Sequence, residues 1–152
     1  MTDSPSTPRG TPPNRKQMTQ HLGAAGLALY DAAVTMGTEF GATWRWAHSE
    51  ATGAWTYRAY MPGERFLMAL SLADTGFEAS LNLKPEEWEW IHGESTDERV
   101  VLDALRDKAI ATGDSPAWLH VPMTAQLDLS VLAKLLFARG RRVEAPRRKK
   151  RR

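Results

Sequence analysis

Residues Thr43–Leu83 read TWRWAHSEATGAWTYRAYMPGERFLMALSLADTGFEASLNL, and this stretch decides the fold. It divides into four short runs of alternating character, separated by turn residues. In an extended strand successive side chains point to opposite faces, so each run can be sorted by parity. Trp44, Trp46 and His48 share one face of the first run, and Trp55, Tyr57 and Ala59 share one face of the second. Phe66, Met68, Leu70 and Leu72 do so in the third, and Phe77, Ala79, Leu81 and Leu83 in the fourth. The opposite parity carries Thr43, Arg45, Thr56, Arg58, Ser71, Glu78, Ser80 and Asn82. One greasy face and one wetter face predict an antiparallel sheet covered on one side. The intervening turns, Ser49–Gly53, Met61–Gly63 and Asp74–Gly76, use Pro-Gly and Asp-Thr-Gly chemistry, in which proline presets φ and glycine accepts positive φ. Loops this short pair neighbours antiparallel, so the expected topology is an up-and-down meander.

Helices are expected on either side of the meander. Leu22, Gly26, Leu29, Ala33, Met36 and Phe40 follow three-to-four spacing, which predicts a first helix from Thr19 as N-cap to about Phe40. Gly23, Gly26 and Gly37 each weaken it by about 1 kcal/mol relative to Ala, so packing on the aromatic face of the sheet must hold it. Lys84–His92 (KPEEWEWIH) opens with proline and two glutamates in a first helical turn, with Trp88 and Ile91 facing inward and Trp90 outward. Ser95-Thr96-Asp97-Glu98 reads as a capping box for a helix to about Thr112, with Val101, Leu102, Leu105 and Ala109 as its stripe. Trp118–Pro122 is a fifth strand, placed at an edge by its proline. Thr124 caps a last helix through Ala138, broken at Gly140. The fold class is therefore α+β: about five antiparallel strands with three to four helices mainly on one face.

Length and charge set the outer bounds. With 152 residues the chain suits one domain with one core. The net charge of +2 conceals a division. Residues 19–138 hold 8 Lys and Arg against 16 Asp and Glu, a net of −8, while residues 139–152 hold 9 against 1, a net of +8. The first 18 residues hold 3 against 1 and four prolines. The expected organisation is a disordered leader over 1–18, a domain over 19–140 and a disordered basic tail over 141–152. An acidic body argues against nucleic acid on the domain itself. The absence of cysteine removes disulfides, thiolate zinc sites and cysteine nucleophiles together. No apolar run reaches the ~18 residues of a membrane span, and the leader lacks a signal-peptide core, so cytoplasmic is the default expectation with no membrane partner.

The order of the landmarks resembles a family of short bacterial proteins catalogued as domain of unknown function 3788. The residues that carry the likeness are Leu22-Gly23 and Tyr30 on the first helix, Trp44, the hairpin residues Gly53, Trp55 and Arg58, and Gly76-Phe77. Trp118 and the segment DLSVLAKLLFARGR from Asp128 complete it, so it spans roughly residues 19–142. Ala54 stands as an insertion between the family's Gly and Trp, and Ala73 where a proline is usual. The resemblance implies a small α+β domain; it supplies no activity and no established catalytic residues.

No catalytic or cofactor motif rises above background: there is no Gly-x-Ser-x-Gly, P-loop or dinucleotide fingerprint. The four histidines, at 21, 48, 92 and 120, show no metal-ligand spacing, so neither a metal nor a cofactor is expected. The most distinctive chemistry is aromatic. Trp44, Trp46, Trp55, Tyr57 and Trp118, with Arg58, form either a core or a pocket that stacks a planar or cationic small molecule. Buried indoles need acceptors, which favours ligand-facing edges. Arg45 and Arg58 share outward parity, with Glu78 two strands away; they read as an anion patch or as a solvated charged face. His48, on the tryptophan face beside the first turn, is the one candidate acid–base group for an enzyme of unknown type, and its parity is opposite to that of Glu78. The tail residues Arg147, Arg148, Lys149, Lys150, Arg151 and Arg152 either solubilise the chain or bind nucleic acid without sequence preference. The leading expectation is a non-catalytic small-molecule-binding or interaction module, monomeric or dimeric. The alternative is an accessory protein that associates with nucleic acid through its tail.

Overall fold

The element order follows from the alternation of turn signals and periodic segments. Helix α1 (Arg15–Glu39) leads into strands β1 (Thr43–His48), β2 (Trp55–Met61), β3 (Arg65–Leu72) and β4 (Phe77–Leu83). A 3-10 turn (Pro85–Trp90), helix α2 (Thr96–Thr112), strand β5 (Ala117–Met123) and helix α3 (Gln126–Glu144) follow. The computed structural model describes residues 11–50 and 53–144, with side chains through Gly140. The five strands form one antiparallel sheet in the order β1-β2-β3-β4-β5, so the meander extends to the fifth strand and β5 is an edge.

Register sorts the side chains. Trp44 pairs with Ala59 and Ala59 with Met68; Trp46 pairs with Tyr57, Tyr57 with Leu70, Leu70 with Ala79 and Ala79 with Val121. Leu81 and Leu119 lie in the next row. Ala59, Met68, Leu70, Ala79, Leu81, Leu119 and Val121 are all buried, as are Leu132, Leu135 and Leu136 of α3 and Leu102 and Leu105 of α2. This covered face is the core, with the helices laid over it. On the other face Trp118, His120 and Pro122 of β5 are exposed in strict alternation with Ala117, Leu119, Val121 and Met123.

Four sequence-based expectations change in the structure, each for a local reason. The first helix begins at Arg15, four residues before Thr19, because Asn14 caps it: its side chain accepts from the Gln17 amide, and the Gln17 side chain accepts from the Asn14 amide. Met18 is thereby buried. Gly23 does more than weaken this helix. With φ 75° and ψ 174° it breaks the helix into two arms, and Arg15 reaches both carboxylate oxygens of Asp31 at 3.0 and 2.7 Å. In a straight helix residues sixteen apart would stand about 24 Å from each other. The first arm is folded back, and its His21 Nε2 donates to the Ala73 carbonyl at the β3–β4 turn, at 2.7 Å.

The third difference is a bulge. Ala59 pairs with Met68 but Tyr60 with Phe66, so Leu67 is passed over in the ladder. Parity inverts there: Leu67 is fully buried, and Phe66 stands with Tyr60 and Trp118 on the uncovered face, its ring 6.0 and 5.7 Å from theirs. Fourth, α3 runs through Gly140 to Glu144, because Gly140 lies against Phe40, where a Cβ would sit 3.3 Å from the ring. The segment Lys84–His92 closes as a 3-10 turn with Trp88 buried and Trp90 exposed, and α2 keeps its Ser95 cap and ends at Gly113 in the left-handed region.

Candidate functional site

The aromatic residues of the first hairpin stand in rungs across β1 and β2. Alternation and register place Trp44, Trp46, His48, Trp55 and Tyr57 on the covered face. The Trp44 and Tyr57 rings stack at 5.0 Å and 19°, and Trp46 lies 4.6 Å from Tyr57 on a tilt of 37°. A flat ligand between two rings would need them about 7 Å apart, twice van der Waals contact. These rungs are filled by one another. Trp44 is tied in further, since its indole donates to the Val34 carbonyl of α1 at 3.1 Å and Gly37 lets the helix backbone approach the indole. Trp44 is thus a packing residue.

The rung nearest the first turn differs. His48 pairs with Trp55, their rings 5.0 Å apart and inclined at 59°. The turn is closed by Ser49 N to Ala54 O at 2.8 Å and Gly53 N to Ser49 O at 2.7 Å, with Gly53 at φ 71°. The Ala54 carbonyl thus belongs to the turn that joins β1 to β2. Trp55 Nε1 and His48 Nε2 are both buried and have no hydrogen-bond partner among the described residues. An indole N–H left unmet away from water costs roughly 1–3 kcal/mol, and such groups are the exception in native proteins. Two of them stand side by side, with the half-buried rings of Trp46 and Tyr57 in the adjoining rung. The corner offers a flat apolar wall, one N–H donor and an imidazole nitrogen that donates or accepts according to tautomer.

Trp118 and Arg58 do not belong to this corner. Trp118 pairs with Asn82 on the uncovered face and is 50% exposed. Arg58 is on that same face, opposite Arg45. The six residues expected at one site are split by the thickness of the sheet: four on the covered side, two on the other. Strand parity for Arg58 was readable from β2; the side of Trp118 depends on how β5 registers on β4, which no local pattern encodes. The tail residues Arg147, Arg148, Lys149, Lys150, Arg151 and Arg152 lie outside the described residues.

For acid–base chemistry the carboxylate near His48 among the described residues is Glu50, its Oε2 at 3.8 Å and beyond hydrogen-bond reach. Glu78 is on the opposite face, 3.8 Å from His120 Nδ1. Among the described residues no three His, Asp or Glu side chains converge on a metal position, and no helix is long and apolar enough to cross a membrane.

Hollows among the described residues lie elsewhere. One, of about 210 Å³, is lined by Leu83, Trp88, Ala109, Ile110, Asp114 and Ala117. Another, a shallow groove of about 260 Å³, is lined by Trp90, His92, Glu94, Lys134 and Phe137. Neither contains any of the residues expected from the sequence.

Comparison with protein-family models, with curated proteins and with solved structures finds no match to this chain.

Proposed function

We propose that the chain is a non-catalytic binding module that takes a planar small molecule at the corner formed by Trp46, Tyr57, His48 and Trp55. The observation that carries this reading is the pair of buried, unmet nitrogens, Trp55 Nε1 and His48 Nε2, beside half-buried aromatic rings. The donor calls for a ligand with a hydrogen-bond acceptor, such as a ring carbonyl or a carboxylate; the rings call for a flat body. A purely cationic ligand would use the rings but leave the indole donor unmet.

Intrinsic fluorescence and melting temperature, followed across a panel of planar compounds with and without a carbonyl or carboxylate, test the reading. Acceptor-bearing members should shift tryptophan emission and raise the melting temperature, and Trp55→Phe, which keeps a ring and removes the N–H, should weaken that response. A panel with no shift in either signal, or a response indifferent to Trp55→Phe, sinks the proposed site.

A further inference from the structure

The two edges of the sheet are not alike. The strand order leaves β1 and β5 outermost. An open edge offers a row of unpaired N–H and C=O groups to any further strand, and proteins blunt it with proline, lysine or a bulge. β5 carries Pro122. β1, TWRWAH, has neither proline nor lysine, and its register on β2 is unbroken from Thr43 to His48. Its arginine leans away from the edge: the Arg45 guanidinium lies 4.0 Å over the Tyr60 ring of β2 and pairs with Glu64.

Hydrogen-bond parity decides which groups of β1 face outward. The Ser49 amide donates to the Ala54 carbonyl across the first turn at 2.8 Å. In an antiparallel ladder the bonded pairs recur at every second residue. By the register of β1 on β2, the bonded pairs are then Ala47 with Thr56, Arg45 with Arg58 and Thr43 with Tyr60. The N–H and C=O groups of Trp44, Trp46 and His48 therefore point away from β2, and no described residue meets them.

A second copy of the same strand can meet all of them in one register. A two-fold axis at Trp46 sets Trp46 against the partner's Trp46, Trp44 against the partner's His48 and Arg45 against the partner's Ala47. Each outward-facing residue then uses both its N–H and its C=O, and the covered faces of the two sheets fall on the same side. The Trp46–Tyr57 and His48–Trp55 rungs continue into the partner's Trp46 and Trp44. Other registers do worse. An axis at Arg45 opposes two arginines, which repel. An axis at Ala47 leaves Trp44 beyond the end of the partner's strand. An axis between two residues sets a covered-face side chain against an uncovered-face one.

We propose that the protein self-associates through β1 about this axis, joining two five-stranded sheets into one. One short strand from each copy makes a small interface, of the weak and reversible class. Main-chain groups carry it and the planar ligand plays no part in it, so the two readings fail separately.

Sedimentation velocity of the full chain across a concentration series tests the proposal, with variants at Ala47, which stands opposite Thr56 on the wetter face. The unaltered chain should pass from monomer to dimer as concentration rises. Ala47→Glu places a carboxylate against the partner's Arg45 on both sides of the axis and should tighten the dimer about fivefold; Ala47→Lys should loosen it by about the same factor. Hydrogen exchange at the Trp44, Trp46 and His48 amides should slow as the dimer forms, while the Arg45 and Ala47 amides, already bonded to β2, stay as they were. Thermal melts at the lowest concentration verify that both variants fold. A chain that remains monomeric up to about 1 mM overturns the proposal, and an edge that accepts only a foreign peptide would give that result. A dimer indifferent to both substitutions overturns it as well. So does one loosened by glutamate and lysine alike, the mark of an axis at Ala47.

Discussion

Arg139 is the residue whose removal should tell most about how this fold is held. It is 4% exposed, and its guanidinium points at oxygens of two strands. Nε donates to the Leu67 carbonyl at 2.7 Å and Nη2 to the Phe66 carbonyl at 2.5 Å. Nη1 donates to the Asn82 carbonyl at 3.0 Å and also meets the Asn82 side-chain oxygen. The carbonyls of Phe66 and Leu67 belong to the bulge, where the regular ladder lapses. Arg139→Met keeps the stem and removes every donor. Each buried carbonyl left unmet costs roughly 1–3 kcal/mol, partly offset because a buried guanidinium no longer has to be desolvated. The net loss should be about 3 kcal/mol, or close to 10 °C in melting temperature for a chain of this size. Urea denaturation followed by near-ultraviolet circular dichroism reads the loss directly. Arg139→Lys should recover less than half of it, since one ammonium cannot meet oxygens on two strands at once. A loss below about 1 kcal/mol for Arg139→Met would refute the reasoning, and with it the view that α3 pins the bulge.

Three further outcomes follow from single sites. Gly37→Ala would gain up to about 1 kcal/mol in an exposed helix, but here its Cβ would meet Trp44 Cζ2 at 2.6 Å and Met68 Cε at 3.2 Å. A net loss of about 1 kcal/mol is expected from overpacking, and a stabilised variant in urea melts would mean that α1 does not lie on Trp44. Glu98 is 4% exposed on its side chain and accepts from the Ser130 hydroxyl and the Glu94 amide, with Lys134 Nζ at 3.6 Å; the Ser130 bond foremost holds its carboxyl below the usual range. A lowered folded value means stability present above the unfolded value of about 4.3 and lost as pH falls through the folded one. Glu98→Gln should therefore destabilise at neutral pH and flatten the acid limb of a stability–pH curve; an acid limb of unchanged steepness would contradict that. Asn14→Ala should cost about 1 kcal/mol by removing the α1 cap, with hydrogen exchange accelerating in residues 15–22 but not in β3 or β4.

The covered face was legible because parity is a local property and the meander loops are short. Trp44, Trp46, Trp55, Tyr57, Leu70 and Leu81 all point where alternation sends them. Phe66 does not, because its direction is set by a bulge whose acceptors are met by Arg139 from the far end of the chain. The fold-back at Gly23 was hidden for a similar reason: Arg15 and Asp31 are i and i+16, outside any helical pairing rule. The expected site failed at Trp118, where long-range register decides the face. Trp46, Trp55 and Tyr57 share the face to which alternation sends them. What no pattern of residue types announces is that Trp55 and His48 keep polar ring atoms buried and unmet while Trp44 does not.

The most direct measurement is a two-dimensional ¹⁵N spectrum of the six indole N–H groups, recorded while an acceptor-bearing planar compound is titrated in. The account predicts that the Trp55 signal moves furthest, with Trp46 following, while the Trp44 signal, bonded to Val34, and the Trp118 signal, across the sheet, stay in place. Movement confined to Trp118, or equal small shifts of all six, would contradict it.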